Sequence, residues 1–126
     1  MTTIFKEIFQ HPEFERDIKQ LTKKFRSLPE DLETLIRYSL NTYHKLGQMQ
    51  DGIKPIAGLG IEYPQIYKVT KFTCKALKGR GSKSGIRVIY AYFSDLDKVE
   101  FVEMYFKADD EKEDRERILK LYKKQI

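Results

Sequence analysis

Apolar residues recur at helical spacing along the first third of the chain. Phe14, Ile18, Leu21 and Phe25 form one stripe, and Pro12 suits the first turn of that helix, where a missing N–H costs nothing. Leu32, Leu35, Ile36, Tyr43 and Leu46 form a second stripe and predict a second helix. Ser27 stands just upstream of it and Pro29 suits its first turn. Glu30, Asp31 and Glu33 complement the positive end of its dipole. The connection 26-RSLP-29 is short enough for an antiparallel helical hairpin. Ahead of both, Ile4 to Gln10 reads as a strand.

After residue 46 the pattern changes. Gly47, Gly52, Pro55, Gly58, Gly60 and Pro64 mark residues 47–64 as loop. Three runs rich in β-branched and aromatic residues follow, at Ile66–Lys75, Ile86–Phe93 and Lys98–Phe106, the last two joined by a turn at 94-SDLD-97. A final helix is expected over Glu111–Lys124, acidic early and basic late, as its dipole favours. The order β-α-α-β-β-β-α predicts an α+β fold. It is a small twisted, mainly antiparallel sheet covered on one face by the N-terminal helical hairpin, with a C-terminal helix. Its other face is expected to stay wet and to serve as the working surface. At 126 residues the whole chain, 1–126, reads as one domain.

Strand alternation sorts the side chains. In the middle run, Ile86, Val88, Tyr90 and Tyr92 share one face, and Arg87, Ile89, Ala91 and Phe93 the other. In the last run, Val99, Phe101, Glu103, Tyr105 and Lys107 alternate with Glu100, Val102, Met104 and Phe106. If Lys68, Arg87 and Lys107 share a face, three cations meet beside Tyr105 and Glu103. Phe72 interrupts the alternation and suggests a bulge.

Charge sharpens this picture. Residues 63–94 hold Lys68, Lys71, Lys75, Lys78, Arg80, Lys83 and Arg87 and no acid. With +5 overall and +7 in this window, the remainder carries −2. Such a segment points to a polyanion-binding surface. The string 79-GRGSKSG-85 does not match a nucleotide-binding phosphate loop and links two strands rather than opening a helix. His11 and His44 are isolated, which fits surface or packing roles, and with one cysteine no metal-ligand cluster is expected. Cys74 reads as a small packing residue, and Tyr43, Tyr90, Tyr92 and Tyr122 as core or interface residues. A lone cysteine fits a reducing cytosol. The charged start, with Lys6 and Glu7, does not read as a signal peptide, and no apolar run is long enough for a membrane span. No cofactor is implied, and a cytoplasmic location is expected.

The strings 66-IYKVTKF-72, 84-SGIRVIYAY-92 and 99-VEFVEMYFK-107, with 14-FERDIKQLTKKFRSLPEDL-32 upstream, resemble the RelE/ParE superfamily of bacterial and archaeal toxins. The resemblance covers nearly the whole chain. It implies a small twisted sheet with two packed helices and one partner of a type II toxin–antitoxin pair. The RelE branch cleaves mRNA on the ribosome without a metal, by attack of the RNA's own 2′-OH. The ParE branch poisons DNA gyrase. A third expectation is a catalytically silent protein of the same fold that binds nucleic acid or a cognate antitoxin.

On the endoribonuclease reading, the resemblance places Lys68, Arg87 and Lys107 at basic positions of the site. Arg87 and Lys107 stabilise the phosphate, because charge builds on its oxygens in the transition state. Lys68 does the same, or acts as a base if neighbouring cations depress its pKa. Tyr105 or Glu103 serves in proton transfer, or Glu103 pairs with Lys107. Lys71, Lys75, Lys78, Arg80 and Lys83 grip the RNA backbone. Two departures stand out. Thr70 occupies the place of a second lysine, and Glu113 falls near the place of a C-terminal tyrosine, leaving Tyr105 as the nearest candidate.

Overall fold

The computed structural model describes residues 4–123. Strand β1 (Glu7–Gln10) leads into helix α1 (Pro12–Thr22), with Pro12 and the acids Glu13 and Glu15 in its first turn. Helix α2 (Leu28–Thr34) runs directly into a π-helical segment, Leu35–Lys45. Strands β2 (Ile53–Pro55), β3 (Gln65–Val69), β4 (Ile86–Phe93) and β5 (Lys98–Phe106) follow, then helix α3 (Arg115–Tyr122). The fold is α+β with one five-stranded mixed sheet in the order β1-β5-β4-β3-β2. β1 runs parallel to β5, and the other pairings are antiparallel.

Two apolar clusters flank the sheet. The larger joins Phe14, Phe25, Leu28, Leu32, Leu35 and Leu40 from the N-terminal helical region to Ile86, Val88, Tyr90, Val99 and Phe101. The second joins Ile66, Ile89, Ala91, Val102 and Tyr105 to Leu59 of the 56–61 loop and Ile118 of α3. The face expected to be wet is therefore largely buried. Ile89 and Ala91 are fully covered there, and only its far end stays open.

Several element boundaries differ from expectation for physical reasons. The Ile66–Lys75 run pairs only as far as Val69. Beyond it, Thr70 N donates to Gly52 O at 2.7 Å, and Phe72 and Cys74 keep a buried alternation without a strand partner. Ser84 Oγ donates to Phe72 O at 2.5 Å. The short strand β2 falls inside the glycine- and proline-rich stretch, at the sheet edge where Pro55 is tolerated. In the π-helical segment the buried leucines stand five apart, Leu35 and Leu40, as the wider turn requires. Leu46, expected in the buried stripe, is 62% exposed. Helix α3 begins four residues later than expected, where the Asp114 carboxylate accepts the Arg117 N–H at 3.1 Å and caps it. Lys124, the last residue expected in that helix, lies outside the described residues.

The irregularity in the sheet sits in β5, not at Phe72. The pairing shifts between Ile89↔Glu103 and Tyr90↔Phe101, so Val102 is the extra residue. Strict alternation would place Phe101, Glu103 and Tyr105 on one face. The bulge instead leaves Val99 and Phe101 in the larger cluster and turns Tyr105 to the opposite face. Arg117 Nη1 seals this irregular edge, donating to Val102 O at 2.9 Å and to Asp17 at 2.7 Å. Asp17 in turn accepts Met104 N at 3.1 Å.

Candidate functional site

The register brings the expected cations to one face. Lys68 opposes Ile89, which opposes Glu103, and Arg87 opposes Tyr105. Lys68 and Arg87 are thus diagonal neighbours, about 7–8 Å apart in a regular sheet. At the open end of this face lies a pocket of about 380 Å³ lined by Thr70, Lys71, Ser82, Lys83, Gly85, Arg87 and Lys107. No acidic residue lines it.

Local structure fixes this pocket. Arg87 Nη1 donates to Thr70 O at 2.7 Å, which holds the guanidinium across the end of β3 and leaves its other donors available. Gly85 immediately precedes β4 with φ +84°, a conformation that disfavours a side chain, and a Cβ there would meet the Phe106 ring at 3.2 Å. Gly85 O accepts Lys107 N at 2.8 Å, which sets Lys107 beside Arg87. Lys71 reaches the pocket while paired with Asp51.

The other predicted backbone-gripping residues do not join the pocket. Lys75 turns toward α2. Its Nζ lies 2.8 Å from Glu30 Oε1, and its N–H donates to the buried Asp31 at 3.2 Å. Ser27 Oγ donates to the same carboxylate at 2.6 Å and accepts Ala76 N at 2.8 Å, so α2 anchors the start of the basic loop. Lys78 and Arg80 stand exposed farther along it.

Lys68 is not a free cation. Its ammonium lies 2.9 Å from Glu113 Oε1 and 5.8 Å from the centroid of the Tyr105 ring. Burial works to lower its pKa, but Glu113 and Tyr105 outweigh that and raise it. Lys68 is therefore held as an ammonium while Glu113 pairs with it. Glu113 was missed by sequence reasoning, which assigned its charge to helix-dipole chemistry. It precedes α3, is only 7% exposed, and also contacts Arg115 Nε at 3.1 Å. Burial resists its ionisation, yet the Lys68 ammonium and other partners keep its pKa below the ordinary value. No periodicity signals such a residue. Its only trace in the sequence is its position near the place of the C-terminal tyrosine.

Glu103 is buried and pairs with the Asp114 N–H at 2.8 Å, not with Lys107. Burial pushes its carboxyl up to about 7, opposed by that N–H and by Arg117. It lines a separate cleft of about 480 Å³ together with Arg16, Asp17, Tyr105, Asp110 and Arg117. The Tyr105 hydroxyl is buried without a hydrogen-bond partner. Burial raises its pKa, and the Lys68 ammonium works against that rise. The structure thus gathers Lys71, Lys83, Arg87 and Lys107, sets Lys68 and Tyr105 beside them on the sheet, and opens Glu103 to a different cleft.

The two histidines sit in hydrogen-bonded packing. His44 Nε2 lies 2.7 Å from the Tyr90 hydroxyl among Phe5, Tyr67 and Tyr92, and burial lowers its pKa to about 4. His11 Nε2 lies 2.9 Å from both Glu100 Oε1 and the Tyr122 hydroxyl, joining β5 to the end of α3. Cys74 is buried. Among the described residues, no helix is long and apolar enough to cross a membrane. No family model, curated protein or solved structure matches the chain.

Proposed function

We propose that this chain is a toxin of the RelE/ParE type that acts in the cytoplasm as a ribosome-dependent mRNA endonuclease and is neutralised by a cognate antitoxin. The acid-free pocket around Arg87 carries this reading. It offers a guanidinium oriented by Thr70 O, flanked by Lys83, Lys107 and the Ser82 side chain, which suits the two charged non-bridging oxygens on the tetrahedral phosphorus of a phosphodiester. Helices α1 and α2 place apolar residues in the larger cluster with the sheet, as that family reading expects.

In the proposed reaction the 2′-OH passes its proton to solvent water and its oxygen attacks phosphorus. The 5′ oxygen leaves and takes up a proton. Arg87 and Lys107 stabilise the charge that builds on the phosphoryl oxygens. Lys68, fixed as an ammonium, adds to that field and donates rather than accepts a proton. Tyr105, opposite Arg87 in the register, supplies a phenolic hydroxyl for proton transfer. Glu103, with a pKa of about 7, is poised for proton exchange near neutrality but serves this site only if the two clefts communicate. Lys71 and Lys83 hold backbone phosphate.

A second reading, a binding protein of the same fold that cleaves nothing, is favoured by the burial of Tyr105 and the neutralisation of Lys68 by Glu113. Tightly controlled expression followed by mapping of mRNA 5′ ends on translating ribosomes separates these readings. Codon-phased cuts that disappear in Arg87→Ala support the nuclease. Intact mRNA with stalled replication indicates gyrase inhibition instead. Unaffected growth at verified protein levels indicates the silent protein.

A further inference from the structure

The carboxylate of Glu113 is turned inward although its neighbours Lys112 and Asp114 are exposed. Its two oxygens meet two cations, Oε1 with Lys68 Nζ at 2.9 Å and Oε2 with Arg115 Nε at 3.1 Å. That is the environment an anionic group of a ligand would find. Beside it, the Tyr105 hydroxyl is buried with no well-formed hydrogen bond, its charged neighbour being the same Lys68 ammonium, an uncommon condition that calls for a physical reason. Both Glu113 oxygens are already engaged. A phosphodiester sets its two charged oxygens in tetrahedral rather than planar geometry and adds ester oxygens, so it can meet a third donor as well.

We propose that Glu113 is an internal stand-in for phosphate at a second anion subsite formed by Lys68 and Tyr105, and that a phosphodiester of the bound strand displaces it. The inference rests on the phosphate-binding reading of the Arg87 pocket and extends it to the neighbouring position of the same sheet face. Lys68 is a diagonal neighbour of Arg87, so one extended strand runs from the open pocket onto the covered subsite. The stretch ahead of Glu113, residues 107–112, is exposed, while α3 behind it is tied to β5 through Arg117 and Tyr122. Helix α3 has eight residues and one fully buried side chain, Ile118. The chain thus carries its own competitor for the ligand, and binding requires the Glu113 side chain to swing off Lys68 while Lys107 stays in the pocket.

The test is fluorescence anisotropy with a short labelled single-stranded RNA over a range of salt concentrations. Glu113→Gln is expected to bind roughly tenfold tighter, the low end of what a hydrogen bond to a charged group contributes. Its dependence of log affinity on log salt should match the wild type's, because both seat the same phosphate on Lys68 once bound, whereas Lys68→Met should flatten it by about 0.7, one phosphate contact fewer on a single strand. Glu111→Gln makes the same charge change at an exposed position of the same segment and should stay within about twofold, a shift small beside the tenfold expected of a specific contact. The gain should vanish when Lys68→Met is combined with Glu113→Gln. If Glu113→Gln does not fold, Glu113→Asp, with a shorter reach, should give a smaller gain of the same sign. Unchanged or weaker binding by a folded Glu113 variant, with Arg87→Ala still impaired, overturns the stand-in and leaves the pocket reading intact. Unchanged binding by Arg87→Ala overturns the pocket reading and this inference with it.

Discussion

Replacing Glu103 with Gln tests whether its burial sets its chemistry. The carboxyl is 6% exposed and its pKa is raised from 4.5 to about 7. A raised folded-state pKa means the folded chain binds more protons between these values. The stabilisation is therefore fully present below pH 4.5 and is lost as pH rises through 7. A shift of that size corresponds to roughly 3 kcal/mol. His44 acts in the opposite sense. Its pKa falls from 6.5 to about 4, so its contribution is present above pH 6.5 and is lost as pH drops toward 4. Because His44 is only partly buried, its effect after solvent screening is nearer 2 kcal/mol.

The two groups nearly cancel between pH 4.5 and 6.5, so their combined contribution to the wild-type pH profile is nearly flat there. Glu103→Gln keeps an acceptor for the Asp114 N–H and removes the ionisation. Urea unfolding followed by circular dichroism at a series of pH values should show two changes. The variant should be more stable than wild type above pH 7 by roughly 3 kcal/mol, or about 10 °C in melting temperature for a domain of this size. Its stability should also fall on acidification from pH 6.5, exposing the His44 contribution. A variant curve parallel to wild type across this range would refute the burial argument and remove Glu103 as a group poised near neutrality.

Other substitutions probe the scaffold around the site. Gly52 has φ +94°, and a Cβ there would lie 2.6 Å from Lys71 Cβ, so Gly52→Ala should cost about 2 kcal/mol or more in chemical denaturation and displace Lys71. Asp31→Ala removes the buried acceptor shared by Ser27 and the Lys75 N–H. It should destabilise the fold by about 1–3 kcal/mol and speed hydrogen exchange at Lys75 and Ala76. Tyr90→Phe leaves His44 Nε2 without its buried partner and should lower stability by about 1–2 kcal/mol in urea melts near pH 7. Phe14→Ala, which empties a fully buried position between α1 and β5, should cost about 3–5 kcal/mol by the same measurement.

Much of the architecture was legible from local pattern because local pattern governs it. The α1 stripe, the Ile86–Phe93 alternation and the acid-free window of residues 63–94 each record a physical requirement of their own segment, whether burial, pleat or polyanion affinity. Arg87 could be placed on a face opposite Val88 and Tyr90 by counting in twos. Counting failed wherever a distant partner set the geometry. The bulge at Val102 depends on Arg117, fifteen residues away, sealing the strand edge. The π-helical turns change the spacing of buried leucines. The cover over the second face depends on Leu59 and Ile118, which no periodicity links to Ile89. For the site the division is sharper. The residue types, and the strand face of Arg87, could be read in order along the chain, whereas the faces of Glu103 and Tyr105 relative to Phe101 turned on the bulge. That Lys68 is neutralised, that Glu103 opens to another cleft, and that Lys75, Lys78 and Arg80 stay outside the pocket follow from contacts between segments far apart in sequence. Ion pairing and desolvation act through space, so only the tertiary structure decides which of the many charges stand free to meet a ligand.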